Sequence, residues 1–424
     1  MVHRLYHFDI KTLANYGDTI LFEMVREIFN TFQGRKTFYV AGSSNLRDTV
    51  DRRLVDKINE SYDAVVIGGG GLFLADTNPN DRSGWQWDCS MELLDRIEKP
   101  LIVFAVGNNR FPGQPEFGDR FREHVNRVVE KSIFFGLRNM GSVRTIREYL
   151  RPDLREKVVW QPCPTTLISK LCPDLYEAAL EPAKRLSIQT YLSKRHTDAG
   201  FDRDSIYDGL VRALTTIQGR GWRVESFANA RGDRAFSAHA RAKGLELPVT
   251  AHFDKRHIFN PLRAFAKLPL AVGMRGHAQM IPFGLGVPIV SLFNHDKLRY
   301  FLEDIGAPEL LVDVREPGFE DALVDRAEHV FANFASIRAH FAAKQEEMFA
   351  LTMRNLAAIS KALGGDGAGA GVKPYSVFER KLAQSLWLAT YDKEQQAAAQ
   401  QAAASRGDVI GRELQNVDAP AAKE

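Results

Sequence analysis

The feature that most constrains this chain is a rhythm in which short apolar runs alternate with amphipathic segments, and which starts twice. "KTFYVAG" (Lys36 to Gly42), "LIVFAVG" and "SIFFGLR" read as buried strands. Among them, "LRDTVDRRLVDKINE" sets Leu46, Val50, Leu54 and Ile58 at helical spacing, and "EFGDRFREHVNRVVEK" is a second helix. "DAVVIGGGGLF" reads as a buried strand entering a glycine turn. After Pro182 the rhythm begins again with "RLSIQTYL", the helix "SIYDGLVRALTTIQGRG", then "WRVESFA", "LPLAVGM" and "VPIVSLF". Regular strand–helix alternation calls for parallel strands joined by helical crossovers. The expected fold is α/β: two Rossmann-like domains with a central cleft, over residues 1–178 and 179–320. A helical segment over 321–363, a Gly-rich linker over 364–374 and a helix over 375–392 should follow, the last offering Phe378, Leu382, Leu386 and Leu388 for packing. The Ala/Gln-rich tail over 393–424 is expected to be disordered.

Length and composition agree with a two-domain enzyme. A chain of 424 residues exceeds one ordinary core, and 45% hydrophobic with 26% charged residues is a globular composition. A formal net charge of only +3, with Lys and Arg spread along the chain, excludes a nucleic-acid footprint but leaves room for one basic pocket. Cys89, Cys163 and Cys172 form no CxxC pair, which fits a reducing compartment. The opening residues carry no long apolar stretch, and no window approaches a membrane span, so a cytoplasmic location is expected.

In such sheets ligands sit beyond the carboxyl ends of the strands. Gly68, Gly69, Gly70 and Gly71 follow one strand and can form a backbone anion cradle, although neither a Walker loop nor GxGxxG is present. Arg138 ends "SIFFGL", and Ser142 falls in the first turn of the next helix, where a guanidinium and helix N–H groups suit a phosphate or carboxylate. Ser142 fits equally as an N-cap. Arg275 leaves the strand "LPLAVGM" and His277 opens a helix, pairing a fixed cation with a group that moves protons near neutrality. Asn294 and Lys297 follow "VPIVSLF"; Lys297 either reaches the same anion or is an ordinary solvated charge. Asn15, Gly17 and Asp18 form a loop and N-cap before a helix faced by Ile20, Met24 and Ile28, and Asp18 could instead orient an acceptor hydroxyl. Asp202 and Asp204 have the DxD form used by metal-dependent glycosyltransferases, but they precede a helix, where Asp is an expected cap. With no HExxH or paired-Cys framework, no metal is expected.

Four of these stretches, in order, resemble the polysaccharide pyruvyl transferase family: "NYGD", "DAVVIGGGGLF", "GLRNMGS" and "MRGHAQMIPFGLGVPIVSLFNHDKLRYFLEDIG". The resemblance implies a fold like the two-Rossmann-domain (GT-B-like) glycosyltransferases. It also implies transfer of pyruvate from phosphoenolpyruvate, a co-substrate with no further cofactor, to a sugar of a cell-surface glycan or a lipid-linked saccharide, forming a ketal. The family's Arg-x-His block maps onto Arg275 and His277, and its mid-domain Arg onto Arg138. His277 is then the candidate acid, with Arg275, Arg138, the glycines, Ser142 and Lys297 around the donor, and Asp18, Asn15 and Asn294 left for the acceptor. The chain departs from the family at "QPCPTTL", where Cys163 and Thr165 stand near a frequent Asp-Pro pair. Two other readings share the architecture: a nucleotide-sugar-dependent glycosyltransferase, and a non-catalytic glycan- or anion-binding protein. A titrating histidine argues against the second.

Overall fold

The structure, a computed structural model, describes residues 2–254, 257–365, 371–374 and 380. Linker residues 366–370, the tail over 393–424 and, apart from Arg380, the helix expected over 375–392 lie outside the described residues.

Two parallel sheets carry the fold. The first contains β1 (His3–Asp9), β2 (Phe38–Asn45), β3 (Ala64–Ile67), β4 (Gly70–Phe73), β5 (Leu101–Asn108), β6 (Ser132–Leu137) and β7 (Val158–Trp160). Its order is β2-β1-β3-β5-β6-β7, with β4 also on β5. The second contains β8 (Arg185–Gln189), β9 (Arg223–Ala228), β10 (Val249–Ala251), β11 (Ala271–Gly273), β12 (Ile289–Phe293) and β13 (Leu311–Asp313), in the order β10-β9-β8-β11-β12-β13. Parallel strands with helices on both faces are buried throughout, which is why β3, β5 and β12 are nearly continuous apolar runs. In each sheet the order reverses once, between β1 and β3 and between β8 and β11, and a crevice opens at such a reversal.

Two local readings are corrected. The glycine run is not a turn: β3 pairs with β5 from Val65 to Ile67, and β4 then pairs with the same strand further along, Gly70 opposite Val106 and Phe73 opposite Asn108. The chain kinks at Gly68 and Gly69 and continues along β5. The helix expected from Leu46 begins only at Arg52, because the Asp51 carboxylate accepts the Leu54 N–H at 2.7 Å and caps it there. Leu46 and Val50 are still buried, but as loop residues on the first core with Trp87 and Phe8. Strand β1, "HRLYHFD", breaks its apolar residues with His and Asp and gave no run to read.

The two sheets face each other. Tyr16 N–H donates to Asn229 O at 2.8 Å, Asp254 N–H donates to Leu13 O at 2.7 Å, and Asn15 bridges Ala230. Helices Phe319–Ala332 and Phe334–Ala362 follow β13. The longer one runs back to the first sheet, where Thr352 Oγ1 accepts from Gln161 and Asn355 donates to Trp160 O. No helix among the described residues is long and apolar enough to cross a membrane.

Candidate active site

The carboxyl ends of both sheets open onto one cavity of about 280 Å³. Its wall is assembled strand by strand. From the first sheet come Asn15 and Asp18 after β1, Arg47 after β2, Gly71 within β4, Asn109 after β5 and Arg138 after β6. The second contributes Tyr191 after β8, Asn229 after β9, Arg275 and His277 after β11, and Asn294 and Lys297 after β12. Arg275 and His277 sit at the β8/β11 reversal, and Asn15 and Asp18 at the β1/β3 reversal, so the two switch points face each other across the cavity.

The charge is strongly one-sided. Among the described residues, Arg47, Arg138, Arg195, Arg275 and Lys297 line the cavity, against the one carboxylate of Asp18. Arg138 is 7% exposed, its Nε and one terminal nitrogen are buried without a hydrogen-bond partner, and no carboxylate lies within ion-pair distance among the described residues. Burial pulls its pKa down. Arg275 is instead held from behind. Its Nε donates to Asp233 Oδ1 at 2.7 Å, and its guanidinium lies 3.7 Å from the Tyr191 ring centroid. Burial leaves the Asp233 carboxyl above the usual range even though Arg275 and the N–H groups of Asn229 and Ala230 draw it down.

His277 crosses the interface. A Cβ on Gly17 would fall 2.5 Å from His277 Nδ1, so this imidazole packs over the start of helix Tyr16–Thr31 and the residue beneath it must be bare. On the other side Cys163 Sγ lies 4.0 Å from His277 Nε2, which is what the departure at "QPCPTTL" places in the site. Burial, together with the positive charges of Arg138, Lys297 and Arg275, holds the His277 pKa at about 3. The imidazole is therefore neutral at neutral pH. Burial and the same arginines bring Lys297 down to about 7. Burial raises the Asp18 carboxyl, opposed by Arg47 and Arg275; Asn15 Nδ2 donates to it at 2.9 Å.

Eight of the twelve residues singled out in the sequence thus meet in one cavity: Asn15, Asp18, Gly71, Arg138, Arg275, His277, Asn294 and Lys297. Four do not. Gly68, Gly69 and Gly70 form no anion cradle, because they are buried in the sheet. Gly68 N–H donates to Phe8 O, and its carbonyl accepts from His7. A Cβ at these glycines would meet Phe104 O at 2.5 Å, Ala105 O at 3.1 Å and Ile10 Cδ1 at 2.7 Å respectively. Ser142 is fully buried and accepts the Asn108 N–H at 2.9 Å, so it supports the loop after β5 and does not line this cavity. Asn139, not Ser142, caps that helix. Asp202 does cap its helix, as its position suggested.

The Polysaccharide pyruvyl transferase family model matches residues 11–296. The chain belongs to the polysaccharide pyruvyl transferase family. No curated protein matches it in sequence. Among solved structures, a protein described as a UDP-N-acetylglucosamine 2-epimerase from Listeria monocytogenes is similar at a TM-score of 0.54 and 13% identity, covering 89% of this chain and all of that one. The UDP co-structure of MnaA from S. aureus is similar at 0.54 and 12%, with the same coverage. A glycosyltransferase from Rickettsia africae is similar at 0.51 and 10%, covering 86% of this chain and 99% of that one. At such identities the likeness concerns the fold, which is the GT-B-like arrangement of two Rossmann-like domains with helices at the C-terminal end.

Within this pyruvyl transferase fold, several cavity residues carried no sequence signal. Arg47 sits in a loop and Arg195 in the short helix Lys194–Asp198, both among other charged residues, where one more Arg attracts no notice. Asn229, whose side-chain oxygen and nitrogen are both buried without a partner, follows the expected strand "WRVESFA" by one residue; the strand-end rule that picked out Arg138 would have found it. Asp233 is the second missed residue of consequence, since it fixes Arg275 from a turn 42 positions away.

Proposed function

We propose that this protein transfers pyruvate from phosphoenolpyruvate to a sugar of a cell-surface glycan, closing it as a ketal. The observation that carries the reading is Arg138, a buried guanidinium with unpartnered nitrogens in a cavity lined by four more cations. An unpaired buried charge is costly unless a ligand anion completes it. Phosphoenolpyruvate brings two anionic groups on three carbons, and Arg138, Arg275 and Lys297 are the cations to hold them.

The proton inventory fits an addition followed by an elimination. A first sugar hydroxyl adds its oxygen to C2, and its proton ends on the methylene carbon, which becomes a methyl group. His277, neutral in the free protein because burial and then the nearby cations hold its pKa down, can receive that proton and deliver it once the donor's charge offsets those cations. The bond from C2 to the phosphate oxygen then breaks, leaving a cationic centre that the second hydroxyl closes as it gives up its proton. Asp18, which lines the same cavity, is the group we assign to receive it. Holding a diol against that centre is a matter of proximity, which a cleft between two domains supplies.

The test is direct. Phosphoenolpyruvate should raise the melting temperature, and inorganic phosphate should appear when candidate glycan acceptors are added, with pyruvate ketal recovered on the glycan. Stabilisation by a nucleotide sugar but not by phosphoenolpyruvate would replace this reading with a glycosyltransferase. Donor binding without phosphate release on any acceptor would leave a binding protein.

A further inference from the structure

Three of the four glycines are explained by the sheet, and the fourth is not. The three atoms nearest to a Cβ on Gly71 would all belong to the Asn109 side chain: Cγ at 2.8 Å, Cβ at 2.9 Å and Oδ1 at 3.0 Å. Asn109 is held from both halves. Its N–H donates to Phe73 O at 2.9 Å, and its carbonyl accepts from His295 Nε2 at 3.1 Å. The side chain lies over Gly71, and its Oδ1 accepts from Lys297 Nζ at 3.0 Å.

That acceptor matters because of what surrounds Lys297. Arg138, Arg275 and Arg195 face it as like charges, with His277, His295 and His196 as neutral imidazoles close enough to feel it. Asp18 is the opposing charge, and no carboxylate lies within ion-pair distance of Lys297 among the described residues. An ammonium in such company turns toward solvent unless something holds it. A carboxylate there would hold it but cancel its charge; an amide oxygen holds it and leaves the charge for a ligand.

We propose that Asn109 is a positioning residue, whose amide oxygen aims the Lys297 ammonium at the donor phosphate, and that Gly71 stays bare to admit the amide. This rests on the reading of the cavity as a phosphoenolpyruvate site.

The test is calorimetric binding of phosphoenolpyruvate to the full chain from about pH 6 to about pH 9, a range that spans the Lys297 value of about 7. Wild-type affinity should weaken as pH rises and Lys297 loses its proton. In Asn109→Leu the midpoint of that weakening should fall by about one pH unit, because the charged form loses its hydrogen bond. Gly71→Ala should move it the same way by less. In Lys297→Arg, where the charge stays fixed, the midpoint should vanish. The donor's own phosphate titrates identically against every variant, so the differences belong to the protein. A midpoint unchanged in Asn109→Leu would overturn the proposal, and if that variant fails to fold, an unchanged midpoint in Gly71→Ala does so instead. A wild type that binds no phosphoenolpyruvate at any pH overturns the donor reading itself, which is a separate result.

Discussion

The two walls of the cavity each present an arginine at the end of a strand, and the two arginines are prepared in opposite ways. Arg275, on the second half, leans on a fully buried carboxylate and a tyrosine ring, so its charge is already balanced and its direction set before any ligand arrives. Arg138, on the first half, is more deeply buried and has neither. The pair separates two functions that a basic pocket usually blends. One guanidinium is a fixed reference that gives the ligand its orientation. The other carries a desolvation penalty that only a bound anion relieves, so it contributes affinity at the expense of the empty protein's stability.

Substitutions break this comparison most sharply. Arg138→Met should lower phosphoenolpyruvate-dependent turnover about 1000-fold, the scale of losing one charge-stabilising group in an enclosed site. Its melting temperature without donor should nonetheless match or exceed the wild type, by about 1 kcal/mol or more in stability. Asp233→Asn should do the reverse: it strands Arg275 and removes a charged acceptor from two backbone N–H groups, and should destabilise the empty protein by about 3 kcal/mol. If chemical denaturation showed both variants equally destabilised, the distinction between a waiting and a braced arginine would be wrong. His277→Ala lies between them. It should reduce turnover about 100-fold or more while donor affinity, measured by titration, changes little, because a neutral imidazole adds no charge to the ground state.

How far the sequence reached follows the same division. Arg138, Arg275, His277 and Lys297 could be found because each stands within a few residues of a buried apolar run, and strand ends are where ligands bind. What surrounds them could not. Asp233 meets Arg275 across 42 residues, and Gly17 meets His277 across 260, so each needed the other partner's position to have a meaning. Strands β7, β10 and β13 have three residues each, too few for a periodicity; β11 is as short and was legible through the longer apolar run "LPLAVGM" around it. The glycine run misled for a physical reason: in sequence, a glycine that lets a ligand approach looks the same as one that lets a neighbouring strand approach. Only the last of the four faces the cavity.

The walls also differ in how pH acts on them. Lys297 titrates near 7 in the folded protein and near 10.5 once unfolded. Between those values the unfolded chain binds more protons, so stability of the empty protein should rise with pH across that window, and Lys297→Met should flatten the rise. Donor affinity runs the other way over the same range. A wild-type stability that fell between pH 7 and 10 with no difference in the Met variant would show that the lysine is not desolvated as the second wall requires.

The smallest effect separates support from contact on the first wall. Ser142→Ala removes the hydroxyl that accepts the Asn108 N–H and leaves that amide without its partner, which should cost about 1 kcal/mol of stability. Because Ser142 does not line the cavity, the donor affinity of the folded variant should equal that of the wild type. An affinity loss larger than the stability loss would return Ser142 to the donor site, and with it the idea that the first wall binds its anion through a helix N-terminus. Equal affinity would leave the charge on that wall to be held by side-chain cations, Arg138 and Arg47, and not by a helix N-terminus.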